Sequence, residues 1–352
     1  MRVAKQPFAD STRLPLRRQR RRTGSITLME VARIAGVAPI TASRALNTPD
    51  KVAKATLARV RKAVTKTGYV PNMLAGGLAS TRSRLVAAVV PTIAGLVFLD
   101  MVQSLTAALE RAGYQLMLGQ SGYTNINEDS LIDAIIGRRP DGIAITGVMH
   151  SAHARKRLAA AGIPVVEMWD LTRSPIDMVV GFSHEEAGAA VARFLHARGA
   201  RRPALISADD PRARRRARAF LKAAQSLQGM REPIIKWVRT PTTLKQGRHG
   251  LAQLLKAEPR IDSVFCSSDL LAVGVLTEAH AQGHDVPARI RVVGFGDVGF
   301  TAQLHPALTT VRIDGARIGR EAADFIVRRA RGEPVGERIV DVGFSIVERE
   351  SA

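Results

Sequence analysis

Cysteine, aromatic residues and long apolar runs are all scarce in this chain of 352 residues. Cys266 is the only cysteine, so an intramolecular disulfide cannot form and a reducing cytoplasm is the simplest location. The longest apolar run, residues 85–99, is interrupted by polar and helix-breaking residues and is too short for a membrane-spanning helix. Residues 1–24 contain clustered arginines without the apolar core of a signal peptide. These absences argue against a secreted protein and against a membrane protein.

Acidic residues are also scarce, with 31 Asp and Glu against 52 Lys and Arg and a net charge of +21. Residues 1–24 contain eight basic residues and one acid, residues 25–84 contain ten and two, and the remaining 268 residues carry a net charge of only +6. A strongly basic N-terminal segment joined to a remainder with little net charge is typical of a nucleic-acid-binding module joined to another domain. A membrane-surface patch is the alternative, but no amphipathic basic helix with a Trp or Phe face accompanies it. We expect residues 1–24 to be a disordered basic arm.

The sequence pattern of residues 25–47 predicts two short helices joined by a tight turn. Thr27 and Glu30 have the spacing of a capping box, which begins a helix at the next residue. Gly36 can adopt the left-handed conformation that ends this helix, and Pro39 suits the first turn of a second one. The second helix keeps alanines on one side and exposes small polar groups and an arginine. This pattern describes a helix-turn-helix, with a plain helical hairpin as the alternative.

A third helix is expected between Val52 and Gly68, and it completes a helical domain at residues 25–70. The expected N-cap of this helix is Ala53, which is a weak capping residue. Residues 71–84 follow as a hinge helix or linker. Two glycines in this segment each cost about 1 kcal/mol of helix propensity, so an isolated helix here is unstable.

Beyond residue 84 strands and helices alternate regularly, which predicts an α/β body of two doubly wound parallel sheets covered by helices. The expected strands lie at residues 85–90, 115–119, 143–146, 165–168, 204–207, 234–238, 264–267 and 290–294. The N-lobe is expected at about 85–178 plus 312–331, and the C-lobe at about 179–311 plus 332–350. Such sheets bind ligands at the carboxyl ends of their strands, so the two lobes are expected to face a shared cleft.

The head motifs resemble those of the lactose-repressor (LacI) family of bacterial transcription regulators, and the body resembles that family's periplasmic-binding-protein-like core. The resemblance rests on Thr27-Leu-Met-Glu-Val-Ala, Thr41-Ala-Ser-Arg and Tyr69-Val-Pro-Asn, and it extends from about residue 26 to the end of the chain. Within the family, Ile163-Pro-Val-Val-Glu-Met-Trp-Asp is most similar to gluconate-operon repressors. The resemblance implies a cytoplasmic, nucleoid-associated homodimer that binds a palindromic operator and is released by a sugar acid between the lobes.

The resemblance also assigns DNA contacts to the head and hinge. It places Pro39, Ile40 and Arg44 at bases, Thr27, Thr41, Ser43 and Asn47 at phosphates or in support of docking, and Asn72, Ala75 and Leu78 at the hinge contacts. Leu78 corresponds to a leucine that wedges into the minor groove and kinks DNA. Pro39 cannot hydrogen-bond a base edge, and Ile40 offers only apolar contact. Arg44 is therefore expected to make the main hydrogen bonds to a base, and the expected base is guanine.

The ligand contacts are less clear from the sequence. Arg216 falls where relatives place an effector-binding arginine, and a sugar acid also needs partners for its hydroxyl groups. We expect these partners among Thr146, Glu167, Asp170, Asp269 and Asp297. Helix capping or surface exposure would explain each acid equally well, and Asp269 in particular stands at an expected helix start. A neutral sugar or a nucleoside remains an alternative effector.

A nucleotide-dependent enzyme is the rival class, because residues 294–299 fit G-x-G-x-x-G after a strand. Too few residues separate Gly299 from Pro306 for the long helix that would bind a pyrophosphate, so we expect neither a cofactor nor an NAD-dependent activity. A periplasmic sugar-binding protein would share the body but lack the basic head. No metal site is expected, because no Cys, Asp or Glu stands between the members of the pairs His150/His153 and His280/His284, which are predicted to lie on the surface.

Overall fold

The computed structural model describes residues 26–70, 82–93, 95–123 and 125–352. The chain divides into two compact units at residues 1–79 and 80–352, which we call the head and the body. The predicted basic arm and the hinge residues Asn72, Ala75 and Leu78 lie outside the described residues. Within the described ranges, no helix is both long and apolar enough to cross a membrane.

The described part of the head, residues 26–70, contains the α-helices α1 (Leu28–Ala35), α2 (Pro39–Asn47) and α3 (Lys54–Thr67). The predicted capping box is confirmed: the Thr27 hydroxyl accepts from the Glu30 N–H at 3.4 Å, and the Glu30 carboxylate accepts from the Thr27 N–H at 3.5 Å. Gly36 ends α1 with a φ of 64°, in the left-handed region. The first helix therefore begins and ends where the sequence predicted.

The head packs through small and β-branched side chains. Its buried residues are Val31, Ala32, Ala35, Ala42, Ala45, Val60 and Ala63. Because α2 buries only alanines, it lies close to its neighbours and its opposite side stays open to solvent. The N-cap of α3 is Ala53, as predicted, and its side chain makes no capping hydrogen bond.

The body alternates strands and helices along the chain. Its strands are β1 (Leu85–Val90), β2 (Gln115–Gln120), β3 (Gly142–Thr146), β4 (Val165–Met168), β5 (Met178–Gly181), β6 (Pro203–Ala208), β7 (Ile234–Val238), β8 (Ser263–Cys266), β9 (Arg291–Gly296), β10 (Thr309–Arg312), β11 (Ile339–Asp341) and β12 (Ser345–Val347). Its helices are α4 (Leu99–Arg111), α5 (Asn125–Ile136), α6 (Ala152–Ala160), α7 (His184–Ala197), α8 (Pro211–Ser226), α9 (Leu244–Ala257), α10 (Asp269–Ala281) and α11 (Gly315–Ala330).

These strands form two six-stranded sheets, one in each lobe. The first sheet has the order β11-β5-β4-β3-β1-β2, and the second has the order β12-β10-β9-β8-β6-β7. Neighbouring strands run parallel except β10 and β12, which are antiparallel. The predicted class of two doubly wound, mainly parallel sheets is confirmed.

The predicted boundary between the lobes was wrong in two places. Residues 179–181 and 339–341 were expected in the C-lobe, but β5 and β11 both belong to the first sheet. The chain crosses between the lobes after β5, after β10 and between β11 and β12. Strands of three or four residues are too short for their apolar and polar residues to show which sheet they join. Sequence periodicity therefore could not locate these crossings.

Four aromatic side chains connect the lobes near the first crossing, and we call them the aromatic bridge: Phe98, Trp169, Phe182 and Phe295. The ring centroids of Phe98 and Trp169 are 5.1 Å apart, and those of Trp169 and Phe182 are 5.8 Å apart. Phe182 in turn lies 6.1 Å from Phe295 on β9 of the second lobe. The first two of these contacts are edge-to-face, and such contacts add stabilisation beyond the burial of apolar area.

Candidate functional site

The solvent-facing side of α2 carries most of the predicted DNA contacts of the head. Pro39, Arg44 and Asn47 are exposed, and Ile40 is 68% exposed. Thr41 and Ser43 are half-buried at the edge of this face, where the Ser43 hydroxyl accepts a hydrogen bond from the Asn47 amide at 3.3 Å. The face thus combines one cation, an apolar residue and small polar groups, which is the chemistry of a helix that docks in the major groove. Thr27, by contrast, uses its hydroxyl oxygen to cap α1.

A cleft lies in the body at the carboxyl ends of the strands of both sheets. Its larger cavity, of about 90 Å³, is lined in part by Tyr123, Trp169, Arg212, Arg216, Asp269 and Phe295. A smaller cavity of about 60 Å³ includes Thr146 and His150 in its lining. Tyr123 and Arg212 line both cavities, so the two cavities are adjacent. This is the position at which doubly wound sheets bind ligands.

Arg216 reaches the cleft from α8 but is largely occupied by protein contacts. Its Nη1 donates to His184 Nδ1 at 3.0 Å, and its Nη2 donates to the Ser267 carbonyl at 3.2 Å. The guanidinium carbon stacks 3.8 Å from the ring centroid of Phe295. Burial lowers the pKa of Arg216 to about 10, so the side chain stays protonated at neutral pH. Gly188 on α7 permits this placement, because a Cβ there would overlap the Arg216 carbonyl oxygen.

His184 is neutral and its tautomer follows from its two hydrogen bonds. Burial and the nearby arginines hold the pKa of His184 well below its usual value. Nε2 lies 3.1 Å from the Trp169 carbonyl and therefore carries the proton, which leaves Nδ1 free to accept from Arg216. The imidazole thus links the aromatic bridge to α8.

Asp269 is a buried carboxylate at the edge of the larger cavity. It accepts from the Thr310 hydroxyl at 2.6 Å and from the Val298 N–H at 2.9 Å, yet burial still raises its pKa to about 6. The N-cap of α10 is Ser268, whose side chain accepts from the Leu271 N–H. The alternative interpretation of Asp269 as the capping residue was therefore wrong; its two carboxylate oxygens accept from Thr310 and Val298 at the edge of the cavity.

The first two glycines of the G-x-G-x-x-G segment make room for a protein side chain. A Cβ at Gly294 would overlap one carboxylate oxygen of Asp269, and a Cβ at Gly296 would lie 3.3 Å from the other. A short 3-10 turn, Thr301–Gln303, follows the segment in place of a long helix. The Asp269 carboxylate therefore explains Gly294 and Gly296 without a bound pyrophosphate, whereas a Cβ at Gly299 would meet open space.

The other predicted acids do not line the two cavities. Asp170 is held by Arg215, whose Nη1 donates to both carboxylate oxygens at 2.8 Å. Asp297 forms ion pairs with Arg312 and Arg349. Glu167 is fully buried and accepts from the Ile176 N–H at 2.7 Å. Contact of these three acids with an effector stays a prediction.

The predicted surface position is wrong for His150 and correct for His153. His150 has 2% of its side chain exposed, and its Nδ1 lies 2.5 Å from the Glu128 carboxylate. His153 is half-exposed and pairs with Asp133 at 3.1 Å. Both acids lie on α5, about twenty residues earlier in the chain, so no local sequence pattern connected them with these histidines.

Sequence reasoning also missed two cleft residues, Tyr123 and Arg212. Tyr123 follows β2 in a loop without a motif. Arg212 belongs to a run of arginines on α8, and its spacing of four residues from Arg216 was the available signal, since residues four apart share one helix face.

Comparison with known proteins agrees with this geometry. Residues 27–72 match the model of the bacterial regulatory proteins of the lacI family, and residues 192–352 match a periplasmic binding protein-like domain. The chain is 38% identical to the HTH-type transcriptional regulator GntR of Pseudomonas aeruginosa, over 94% of this chain and 97% of that protein.

Solved structures of related regulators share the architecture. A LacI-family transcriptional regulator from Silicibacter pomeroyi has a TM-score of 0.86 at 33% identity, covering 93% of this chain and 99% of that one. The transcription regulator GntR from Chromobacterium violaceum has a TM-score of 0.72 at 34% identity, covering 76% and 98%. The chain therefore belongs to the lacI family of bacterial regulatory proteins, which are helix-turn-helix transcriptional regulators that bind operator DNA and small-molecule effectors and act as dimers.

Proposed function

We propose that this protein represses genes for the uptake or catabolism of a sugar acid, and that it releases its operator when the sugar acid binds between the lobes. The observation that carries the proposal is the cavity at the strand ends, whose lining includes two arginines from α8 and a buried carboxylate. A cationic side chain suits the carboxylate of a sugar acid, and a carboxylate suits its hydroxyl groups.

In this proposal α2 enters the major groove, and Arg44 donates to a guanine while Ile40 makes apolar contact, for example with a thymine methyl group. Thr27, Thr41, Ser43 and Asn47 contact phosphates or support docking, and Asn72, Ala75 and Leu78 contribute from the hinge. Phosphate contacts fix the position of the head, whereas base contacts and the bend introduced at Leu78 give specificity.

The effector would contact Thr146 and Asp269 through its hydroxyl groups, because both residues line the cleft. Its binding would favour one arrangement of the lobes, change the spacing of the two heads in a dimer and weaken the DNA contacts proposed for residues 71–84. The effector must prefer the state that does not bind DNA, and such a coupling is typically about 1–3 kcal/mol.

The test is a DNA-binding titration with the upstream region of the protein's own gene. We expect affinity to fall steeply with salt, because phosphate contacts release counterions, and d-gluconate or a related acid to release the DNA. A flat salt dependence would contradict the assignment of the head. Release by a neutral sugar or a nucleoside, with no response to sugar acids, would contradict the proposed effector class.

A further inference from the structure

A groove lies between α7 and α8 on the surface of the second lobe. Its volume is about 710 Å³, and it shares no lining residue with the two cavities of the cleft. Each helix lines it with residues three or four apart, from Glu185 to Arg193 on α7 and from Arg215 to Ser226 on α8. At 1.5 Å per residue the span on α8 is about 16 Å, which is about three helical turns. The groove is therefore long enough to hold a short helix.

Four half-buried apolar residues form what we call the floor of this groove: Ala189, Ala219, Ala223 and Leu227. Ala223 and Leu227 also pack against the core of the body, which holds the floor in place. Because an alanine side chain ends at Cβ, the floor leaves room for larger apolar side chains that come from outside. An apolar floor of this kind suits the apolar face of an amphipathic helix.

The charges along the groove are unevenly paired. Near the start of both helices, Arg215 donates to the Glu185 carboxylate from Nε at 2.7 Å and from Nη2 at 3.0 Å. Farther along, Arg193, Arg218 and Lys222 are exposed and line the groove. No ion pair or hydrogen bond joins these three side chains to any residue in the described ranges. This part of the groove therefore carries three positive charges that the protein does not pair.

Charge and floor together select one kind of occupant. Residues 1–24 contain eight basic residues and one acid, and a second copy of this chain carries a net charge of +21, so both would be repelled by the unpaired cations. Nucleic acid would suit these cations, but its phosphates would then face the apolar floor and the carboxylates of Glu185 and Glu186. A helix with an apolar stripe and acidic flanks matches both the floor and the cations.

We propose that the groove between α7 and α8 is a docking site for an acidic amphipathic helix of a partner protein. The apolar side chains of that helix pack on the floor, and its carboxylates pair with Arg193, Arg218 and Lys222. The site is separate from the cleft but is built on the same helix, since Arg216 of α8 lines the larger cavity. The inference does not depend on the chemistry of the effector.

The test uses a labelled synthetic helix of about 18 residues, with leucines on one face and glutamates on the other. A matched peptide has glutamine in place of every glutamate. The full-length protein is titrated into each peptide with excess unlabelled duplex DNA present to occupy the basic head, and fluorescence anisotropy reports binding. We expect the acidic peptide to bind with a Kd of roughly 10–100 μM that weakens as salt rises, and the glutamine peptide to bind at least about tenfold more weakly.

Two lysines provide a matched pair of variants. Lys222 and Lys156 are both exposed on helices, and only Lys222 lines the groove. Lys222→Glu should weaken binding of the acidic peptide by roughly three- to tenfold, whereas Lys156→Glu should leave it unchanged. Ala219→Leu should weaken binding by a similar factor, because leucine fills the floor and is compatible with the helix.

Three results would overturn the inference. The first is a wild-type protein that does not bind the acidic peptide, and the second is an equal loss of binding in Lys222→Glu and Lys156→Glu. The third is an Ala219→Leu variant that binds the peptide normally together with a Lys222→Glu variant that binds duplex DNA more weakly in the absence of peptide. That third result would identify the groove as a contact surface for nucleic acid.

Discussion

Arg44 is the residue of α2 best able to read a base, because Pro39 and Ile40 at the start of the helix lack side-chain donors. We expect Arg44→Ala to cost roughly 1–3 kcal/mol of operator affinity, and to cost much less on unrelated DNA. Lys62→Ala, which removes one exposed charge from α3, should weaken both kinds of binding about equally. Competition assays at fixed salt measure this difference. Equal losses on operator and unrelated DNA in Arg44→Ala would show that Arg44 contacts only phosphate.

Single residues differ in how far the sequence revealed their roles. Thr27 and Glu30 were predictable because a capping box is formed within four residues of chain. The ion pair of Asp170 was not predictable, because its partner Arg215 lies 45 residues away and becomes its neighbour only when the lobes assemble. The cleft position of Arg212 was visible only as a four-residue spacing from Arg216 within a run of arginines, and tertiary packing shows which of these arginines line the cavity.

At the scale of elements, the start of α3 lacks a side-chain cap, so a substitution there can stabilise the helix. Ala53 has extended backbone angles, φ −56° and ψ 137°, but no side-chain oxygen to accept from the first turn of the helix. Ala53→Ser should stabilise the head by about 1 kcal/mol, because serine supplies that acceptor. Ala55→Ser is the matched control inside the helix and should be neutral or slightly destabilising. Thermal unfolding followed through the head measures both, and a gain from Ala55→Ser equal to that from Ala53→Ser would disprove a capping effect.

The contact between α5 and the start of α6 should make stability depend on pH. Burial opposes a charge on His150, but Glu128 and Glu167 outweigh it and raise the pKa of His150 to about 9. Because the pKa of His150 is higher in the folded than in the unfolded protein, the protonated imidazole stabilises the folded protein. This contribution to the free energy of unfolding is complete below pH 6.5 and is lost as the pH rises toward 9. Denaturant unfolding should therefore show a loss of up to about 3 kcal/mol across this window.

The control for this pH effect is the half-exposed pair of His153 and Asp133. His150→Gln should abolish most of the loss between pH 6.5 and 9, whereas His153→Gln should retain it. If the wild type and His150→Gln lost stability in parallel, the buried imidazole would not be the titrating group.

The type and order of most elements were predictable, because apolar periodicity and turn residues are local features of the sequence. The crossings between lobes were not, since β5 and β11 join a sheet assembled largely from other parts of the chain. The strand pairing of Ile339 with Val179 spans 160 residues and depends on the finished fold. Sequence periodicity identifies a strand but does not identify its neighbour.

At the scale of the whole molecule, a ligand in the cleft can act on DNA only if the two lobes respond together. The aromatic bridge is the packed contact nearest the first crossing, and Phe182 is fully buried between Trp169 and Phe295. A rigid, close-packed contact transmits a change in lobe arrangement better than a loose one. Phe182 itself does not line either cavity, so its substitution leaves the residues of the ligand site in place.

We therefore expect Phe182→Leu to retain effector binding but to reduce the ratio of operator affinities measured without and with effector. Phe220→Leu is the matched control, because Phe220 is equally buried and stacks on Phe265 at 5.6 Å within the second lobe. Both substitutions should lower unfolding free energy by roughly 1–3 kcal/mol. Only Phe182→Leu should lower the coupling between effector and DNA, which is reciprocal and so can be measured from either ligand. An unchanged ratio in Phe182→Leu would mean that the lobes communicate through the other two crossings alone.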